Sequence, residues 1–326
     1  MGAVGSDSLQ GGSENHAKAN SKRIGMIIIQ LAGGLGNQMF QYAFAVALKK
    51  ENPDEAVYVD THHFNYLFVK KYKTSNLHNG YELEKLFSNI DIEKAPISML
   101  MKVTNYIPNF FLSRVARKVL PKRHTEYVAK LSESQTYIPG ILSLAGNVYY
   151  EGYWQVAQYY INCREELHRA FVHPMPNEYN ARLIKEITNS NSVGIHVRRG
   201  NYLLSPTYSG ICNLEYYKKA IARIMGDGNQ HRFYIFSNDI YWCQQNIVPL
   251  LGGAEVRFVT ENTGANSCWD MFLMSYCHDL IMANSSFSWW GAFLNNNVDR
   301  VIAPHPWMNG RDTSGIYVPE WIKVDC

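Results

Sequence analysis

Apolar runs of strand length alternate with stretches of helical periodicity from Met26 to the C-terminus. The run Met26-Ile27-Ile28-Ile29-Gln30-Leu31 is stopped by Gly33-Gly34 and followed by the helical pattern Tyr42-Ala43-Phe44-Ala45-Val46-Ala47-Leu48, which predicts strand, glycine loop and helix. Ala56-Val57-Tyr58-Val59 predicts a second strand that ends at Asp60. In the second half, strands are predicted at Val193–Ile195, His231–Phe236, Glu255–Val259, Asp279–Ala283 and Arg300–Ala303, between helix-like segments including Leu214–Met225 and Cys268–Tyr276. Strands that alternate with helices pair in parallel, so the pattern predicts an α/β fold.

The chain has 326 residues, 46% of them hydrophobic, enough for two such cores. The expected division is an N-terminal domain over residues 25–175 and a C-terminal domain over 176–326. No apolar run approaches the ~18 to 20 residues that span a bilayer. Residues 1–24, rich in Gly, Ser, Asn and Ala, have neither the apolar centre of a signal peptide nor a helical stripe, and read as a disordered tail or a remnant of cloning. The six cysteines show no C-x-x-C spacing and no zinc-like pairing with histidines, which fits reduced thiols in a cytoplasmic protein.

A net charge of +3 is too small for a nucleic-acid footprint. Charge is concentrated locally instead, in a helical insertion over residues 92–130 that holds Lys94, Lys102, Arg114, Arg117, Lys118, Lys122, Arg123 and Lys130 among Met, Phe, Ile and Leu. It reads either as an amphipathic basic surface that approaches anionic lipid or as a solvated insertion with its apolar residues packed inward.

Three segments carry chemistry. In Gly194-Ile195-His196-Val197-Arg198-Arg199-Gly200-Asn201-Tyr202 an apolar strand meets a glycine turn, which puts His196, Arg198 and Arg199 at the C-terminal edge, where open α/β sheets bind ligands. Side chains alternate along a strand, so Arg198 shares a face with His196 and Arg199 points the other way. The guanidinium fork matches phosphate oxygens, against the plainer reading of surface ion pairs. The second segment, Asn284-Ser285-Ser286-Phe287-Ser288-Trp289-Trp290-Gly291-Ala292, follows the apolar Leu280–Ala283 and opens a helix. Small hydroxyl residues at a helix N-terminus leave room for an anion, although capping by Ser285 or Ser286 accounts for one serine. The third is Gly33-Gly34-Leu35-Gly36-Asn37-Gln38-Met39-Phe40-Gln41. With Asp60 downstream it partly matches a dinucleotide fingerprint, but Met39 stands where that fingerprint needs glycine or alanine. Asn37 and Gln38 suit a hydroxyl-rich ligand, because amides both donate and accept.

Together these segments resemble the bacterial α-1,2-fucosyltransferases of glycosyltransferase family 11. The matching stretches are Gly33 to Ala43, His196 to Tyr202, Phe236-Ser237-Asn238-Asp239-Ile240-Tyr241-Trp242-Cys243, Gly152-Tyr153-Trp154-Gln155, Met274-Ser275-Tyr276-Cys277-His278 and Ala283 to Ala292, in family order along almost the whole chain. The resemblance implies a GT-B fold of two Rossmann-like domains facing a cleft, the C-terminal one holding the donor GDP-L-fucose. It implies inverting transfer to the 2-hydroxyl of a terminal galactoside with no cofactor and no metal, and the chain offers no convincing D-x-D pair for a divalent ion. Arg198 is then the catalytic contact to the β-phosphate, buttressed by Arg199. His196, Ser237, Asp239, Ser285, Ser286, Phe287 and Ser288 are expected on the donor, although Asp239 is equally placed to cap the helix that carries Trp242. Asn37, with Gln38 and Trp154, is expected on the acceptor side.

His196 beside the phosphate ligands fits donor binding better than proton abstraction, and a histidine satisfied by backbone is the plain alternative. The resemblance implies that the β-phosphate itself accepts the proton while Asn37, with Gln38, orients the acceptor hydroxyl as a catalytic residue; Asp60, His62 and Glu151 are acid–base candidates by position only. The family motif carries aspartate where this chain has Asn201; an amide still accepts a hydrogen bond, so activity is expected to survive. The implied setting is the cytoplasm, or the inner membrane face if the oligosaccharide is lipid-linked, in polysaccharide or lipopolysaccharide assembly. A nicotinamide oxidoreductase leaves Arg198 and the serine segment unexplained. A glycan-binding protein that stacks sugars on Trp154, Trp289 or Trp290 has no use for paired arginines.

Overall fold

The computed structural model describes residues 25–64, 79–129, 133, 135–144 and 146–326. The expected disordered tail, 1–24, and the last residue of the basic insertion lie outside the described residues.

Each half of the chain contributes one fully parallel sheet. The first contains β1 (Met26–Gln30), β2 (Ala56–Asp60), β3 (Glu93–Lys94), β4 (Glu126–Val128) and β5 (Val148–Glu151) in the order β3-β2-β1-β5-β4. The unbroken apolar run of β1 follows from burial on both faces. Ile27 and Ile29 join Met39, Phe40 and Phe44 of α1 (Leu35–Glu51), while Ile28 packs with Tyr149, Leu100 and Val103 on the opposite face. Between β2 and β4 lie α2 (Leu83–Leu86), α3 (Ile97–Val103) and α4 (Phe110–Val119). Leu112, Val115 and Val119 of α4 are exposed, while Ser113 is buried and Arg117 half-buried.

After α5 (Arg164–Ala170) and α6 (Glu178–Thr188) the second sheet takes β6 (Ser192–Val197), β7 (Arg232–Ser237), β8 (Glu255–Val259), β9 (Asp279–Ile281), β10 (Arg300–His305) and β11 (Ile322–Asp325) in the order β11-β10-β9-β6-β7-β8. α7 (Leu214–Met225) and α8 (Ile240–Asn246) cover the face that carries Val193, Ile195 and Phe233. α9 (Cys268–Met274) and α10 (Ser286–Phe293) cover the other face, with Tyr234, Phe236 and Leu280. The strand order reverses between β6 and β9, so the loops after those two strands flank the crevice where open α/β sheets take ligands.

The two halves meet on an aromatic seam. Phe40 of α1 lies 4.5 Å from Trp289 and 5.0 Å from Trp290 of α10, with Tyr160 and Phe293 alongside. Both tryptophans are fully buried, so neither is offered to a sugar.

Candidate active site

His196 is the penultimate residue of β6, 7% exposed, with its ring 6.1 Å from Phe287 and its Nδ1 buried without a protein partner. Burial, and secondarily the Arg198 charge, depress its pKa from 6.5 to about 3. It is therefore neutral at physiological pH, and a buried nitrogen lacking a partner at a sheet edge is placed to bond a ligand.

Arg198 follows, half-buried. Its Nη2 donates to Asn201 Oδ1 at 3.3 Å and its guanidinium lies 5.4 Å from the Tyr202 ring centre. Tyr202 stacks on Tyr208 at 4.6 Å, and its hydroxyl meets the Ser285 side chain. Tyr202 thus joins the loop after β6 to the loop after β9. Asn201 thus serves Arg198.

Arg199 turns away, as strand alternation requires. Its Nε donates to Asp239 Oδ2 at 3.0 Å, its backbone N–H to Asn238 Oδ1 at 2.9 Å, and its guanidinium sits 4.2 Å from the Trp242 ring centre. It braces the loop after β7 and does not touch Arg198. The other Asp239 oxygen accepts from Trp242 N at 3.1 Å, capping α8, and Ser237 Oγ accepts from Asp239 N at 2.9 Å. Asp239 and Ser237 are thus occupied by local structure, because a helix that starts directly after a strand needs its first amides capped.

The serine segment divides by role. Ser285 caps α10 by accepting from Phe287 N at 3.3 Å. Ser288 is fully buried and donates to Ala283 O at 3.0 Å, so it holds the turn together and is closed to a ligand. Ser286 is half-exposed and lies against Gly36: a Cβ on that glycine would fall 2.7 Å from Ser286 Oγ and 2.9 Å from Ser286 backbone atoms. Gly36 therefore serves contact between the halves of the molecule, and the glycine loop is closed at that point to a dinucleotide.

That contact brings Asn37 to the loop after β9. Asn37 is half-exposed, and its Oδ1 accepts from Gln155 Nε2 at 2.9 Å, leaving Nδ2 without a partner among the described residues. Gln38 and Trp154, expected beside it, are core residues. Gln38 is fully buried, donating to Gly33 O and Gly80 O and accepting from Glu82 N. Trp154 is 1% exposed and stacked on Phe44 at 4.3 Å. Its left-handed backbone (φ 53°) turns the chain so that the indole enters the core while Gln155 reaches Asn37. Gln155 is the residue that sequence reasoning missed; its place after Trp154 in the matching stretch was the available signal.

A third cluster occupies the same edge of the first sheet. Asp60 is buried, with Oδ1 2.8 Å from His62 Nδ1 and Oδ2 accepting from the Tyr149 hydroxyl at 2.7 Å. Hydrogen bonds from His62 and Tyr149 outweigh burial and leave the Asp60 pKa below its ordinary value. Arg117 of α4 donates to Glu151 at 2.7 Å, and Lys122 also reaches Glu151. No group of three or more His, Cys, Asp or Glu able to hold a metal occurs among the described residues.

Comparison with known proteins gives these positions their context. The pattern described as Glycosyl transferase family 11 matches residues 26–325. The chain is 33% identical to an alpha-1,2-colitosyltransferase from Escherichia coli, over 92% of this chain and 99% of that protein. It is 24% identical to galactoside alpha-(1,2)-fucosyltransferase 2 of Mus musculus, over 97% of this chain and 84% of that one. The crystal structure of the fucosyltransferase NodZ from Bradyrhizobium shares the fold, with a TM-score of 0.51 at 12% identity over 86% of this chain and 95% of NodZ.

Proposed function

The chain belongs to glycosyl transferase family 11 and is a glycosyltransferase of GT-B fold, and from that premise we propose that it transfers L-fucose from GDP-β-L-fucose to the 2-hydroxyl of a terminal galactoside, with inversion and without a metal. One observation carries this reading: the loops after β6 and β9 meet at the switch point through Tyr202 and Ser285, which puts Arg198 beside the N-terminus of α10, a pairing of guanidinium and helix start suited to a diphosphate.

As the bond from the anomeric carbon to the β-phosphate oxygen breaks, negative charge grows on GDP and the sugar becomes oxocarbenium-like. Arg198 stabilises the leaving charge, a type of preorganised electrostatic effect that contributes heavily to catalysis. Asn37, its carboxamide held by Gln155, orients the acceptor hydroxyl whose oxygen forms the new bond. Proton removal falls to His62. Both Asp60 oxygens are occupied, Glu151 is paired with Arg117 and Lys122, and His62 has Nδ1 held by Asp60 while Nε2 has no partner among the described residues.

The likeness to a colitosyltransferase supports a second donor, since colitose is L-fucose without its 3-hydroxyl. The deciding experiment is GDP release from GDP-fucose and from GDP-colitose with lactose or N-acetyllactosamine, with and without EDTA. Acceptor-dependent release from GDP-fucose that resists EDTA supports the proposal. Release from GDP-colitose alone overturns the donor, and loss in EDTA overturns metal independence.

A further inference from the structure

α4 is amphipathic in the reverse of the usual sense. Leu112, Val115 and Val119 recur at helical spacing on one face, and the first and last are 53% and 73% exposed; Leu120, just beyond the helix, is half exposed. The opposite face carries Ser113, whose Oγ accepts from Ile107 N, and Arg117, bonded to Glu151. A helix that packs on a core turns its apolar face inward. Ser113 and Arg117 anchor α4 while Leu112, Val115 and Val119 are displayed, and Ile97, Met101 and Ile107 of α3 and the connecting loop are exposed as well. Exposed apolar residues gathered on one element mark an interaction surface.

The surrounding charge identifies the partner. No Asp or Glu occurs between Lys94 and Glu126, whereas Lys102, Arg114, Arg117, Lys118, Lys122 and Arg123 do. Lys102 and Lys118 are exposed and form no ion pair among the described residues. Apolar side chains flanked by cations, on a helix lying along the surface, match the interface of an anionic bilayer: the apolar residues enter the acyl boundary while the cations meet headgroup phosphates. No helix among the described residues is long and apolar enough to cross a membrane. We propose that the exposed face of α4 docks this protein on an anionic lipid surface.

Orientation gives the docking a purpose. Arg117 ties α4 to Glu151 at the end of β5 and lies against Tyr149, which bonds Asp60. Docking through α4 therefore sets the acceptor-side edge of the first sheet at a fixed distance from the membrane. On the transferase reading above, this suits an acceptor glycan carried on a lipid.

The test is co-sedimentation of the full chain with phosphatidylcholine vesicles, with or without about one third phosphatidylglycerol, in low salt and in about 1 M salt, where screening shortens the Debye length to ~3 Å. Binding to the anionic vesicles in low salt is expected, at least tenfold weaker in high salt or without phosphatidylglycerol. The Leu112→Ser/Val119→Ser variant should lose about tenfold in vesicle binding while releasing GDP from GDP-fucose with a soluble acceptor at the unchanged rate. No pelleting with anionic vesicles in low salt overturns the proposal, as does a dimer in light scattering that this variant dissociates. Vesicle binding is read without sugar donor, so it fails or holds separately from the donor assignment.

Discussion

Trp290 and Gly36, 254 residues apart, are joined by a 2.9 Å hydrogen bond from the indole Nε1 to the glycine carbonyl, inside the seam between the two halves of the molecule. The same glycine has Ser286 backbone at the distance a Cβ would need. Gly36→Ala should therefore separate the two loops, costing about 1–3 kcal/mol of stability and lowering turnover well beyond that loss by misplacing Asn37. Denaturant midpoints and GDP-release rates check both; a wild-type rate in a folded variant would show that the loops need not touch.

Arg198→Lys keeps the charge and loses the planar fork. Its kcat should fall about 100-fold, and that of Arg198→Ala by up to about 1000-fold. Arg199→Ala should act differently, because Arg199 braces Asp239 and Trp242: a raised donor KM with a smaller change in kcat is expected. Steady-state kinetics with varied donor separates the two arginines.

Gln155→Leu leaves the Asn37 carboxamide free to rotate. Acceptor KM should rise about tenfold, in keeping with the loss of one buried polar bond, while donor KM stays constant. An equal rise in both would remove the acceptor assignment of Asn37.

His62→Gln should lower kcat by about 100-fold or more with donor KM unchanged. A kcat close to that of the wild type would move the base elsewhere.

Two groups bias stability in opposite directions with pH. Folded His196 stays neutral down to about pH 3 while the unfolded chain protonates it near 6.5, so below 6.5 the unfolded state binds more protons and stability falls with falling pH. Asp270, raised by burial from 3.8 to about 7, holds its proton in the folded state, so stability falls as pH rises through that range. The two slopes offset each other between about pH 4 and 6.5. Asp270→Asn keeps the bond from Asn262 and removes one slope, so unfolding free energy should then rise with pH, by at most about 1.4 kcal/mol per unit relative to wild type. Urea titrations at pH 4.5, 5.5 and 6.5 measure it.

Much of this was legible in the sequence, for a local reason. The apolar runs marked β1, β2 and β6 to β10 because strands of a parallel sheet covered by helices are dominated by apolar residues, and the glycine and serine stretches marked the loops because left-handed or crowded backbone restricts residue choice. β10 runs two residues past its expected end, to His305, and β3, β4, β5 and β11 were not anticipated. β3 and β4 have only two and three residues, too few for periodicity to register. Alternation along β6 set the divergence of Arg198 and Arg199 before any coordinates.

Which side chains remain free was decided only by tertiary contacts. Gln38 and Asn37 are adjacent amides in one motif, yet the first is spent on Gly33, Gly80 and Glu82, and the second is held by Gln155 with one donor open. Trp154 resembled a sugar platform until Phe44 stacked on it. α4 has a period that predicts an amphipathic helix but cannot say which face turns inward; the bond from Arg117 to Glu151 decides that. Periodicity is a property of neighbours along the chain and fixes the elements, whereas occupancy of a donor or a face depends on groups brought from distant positions by packing.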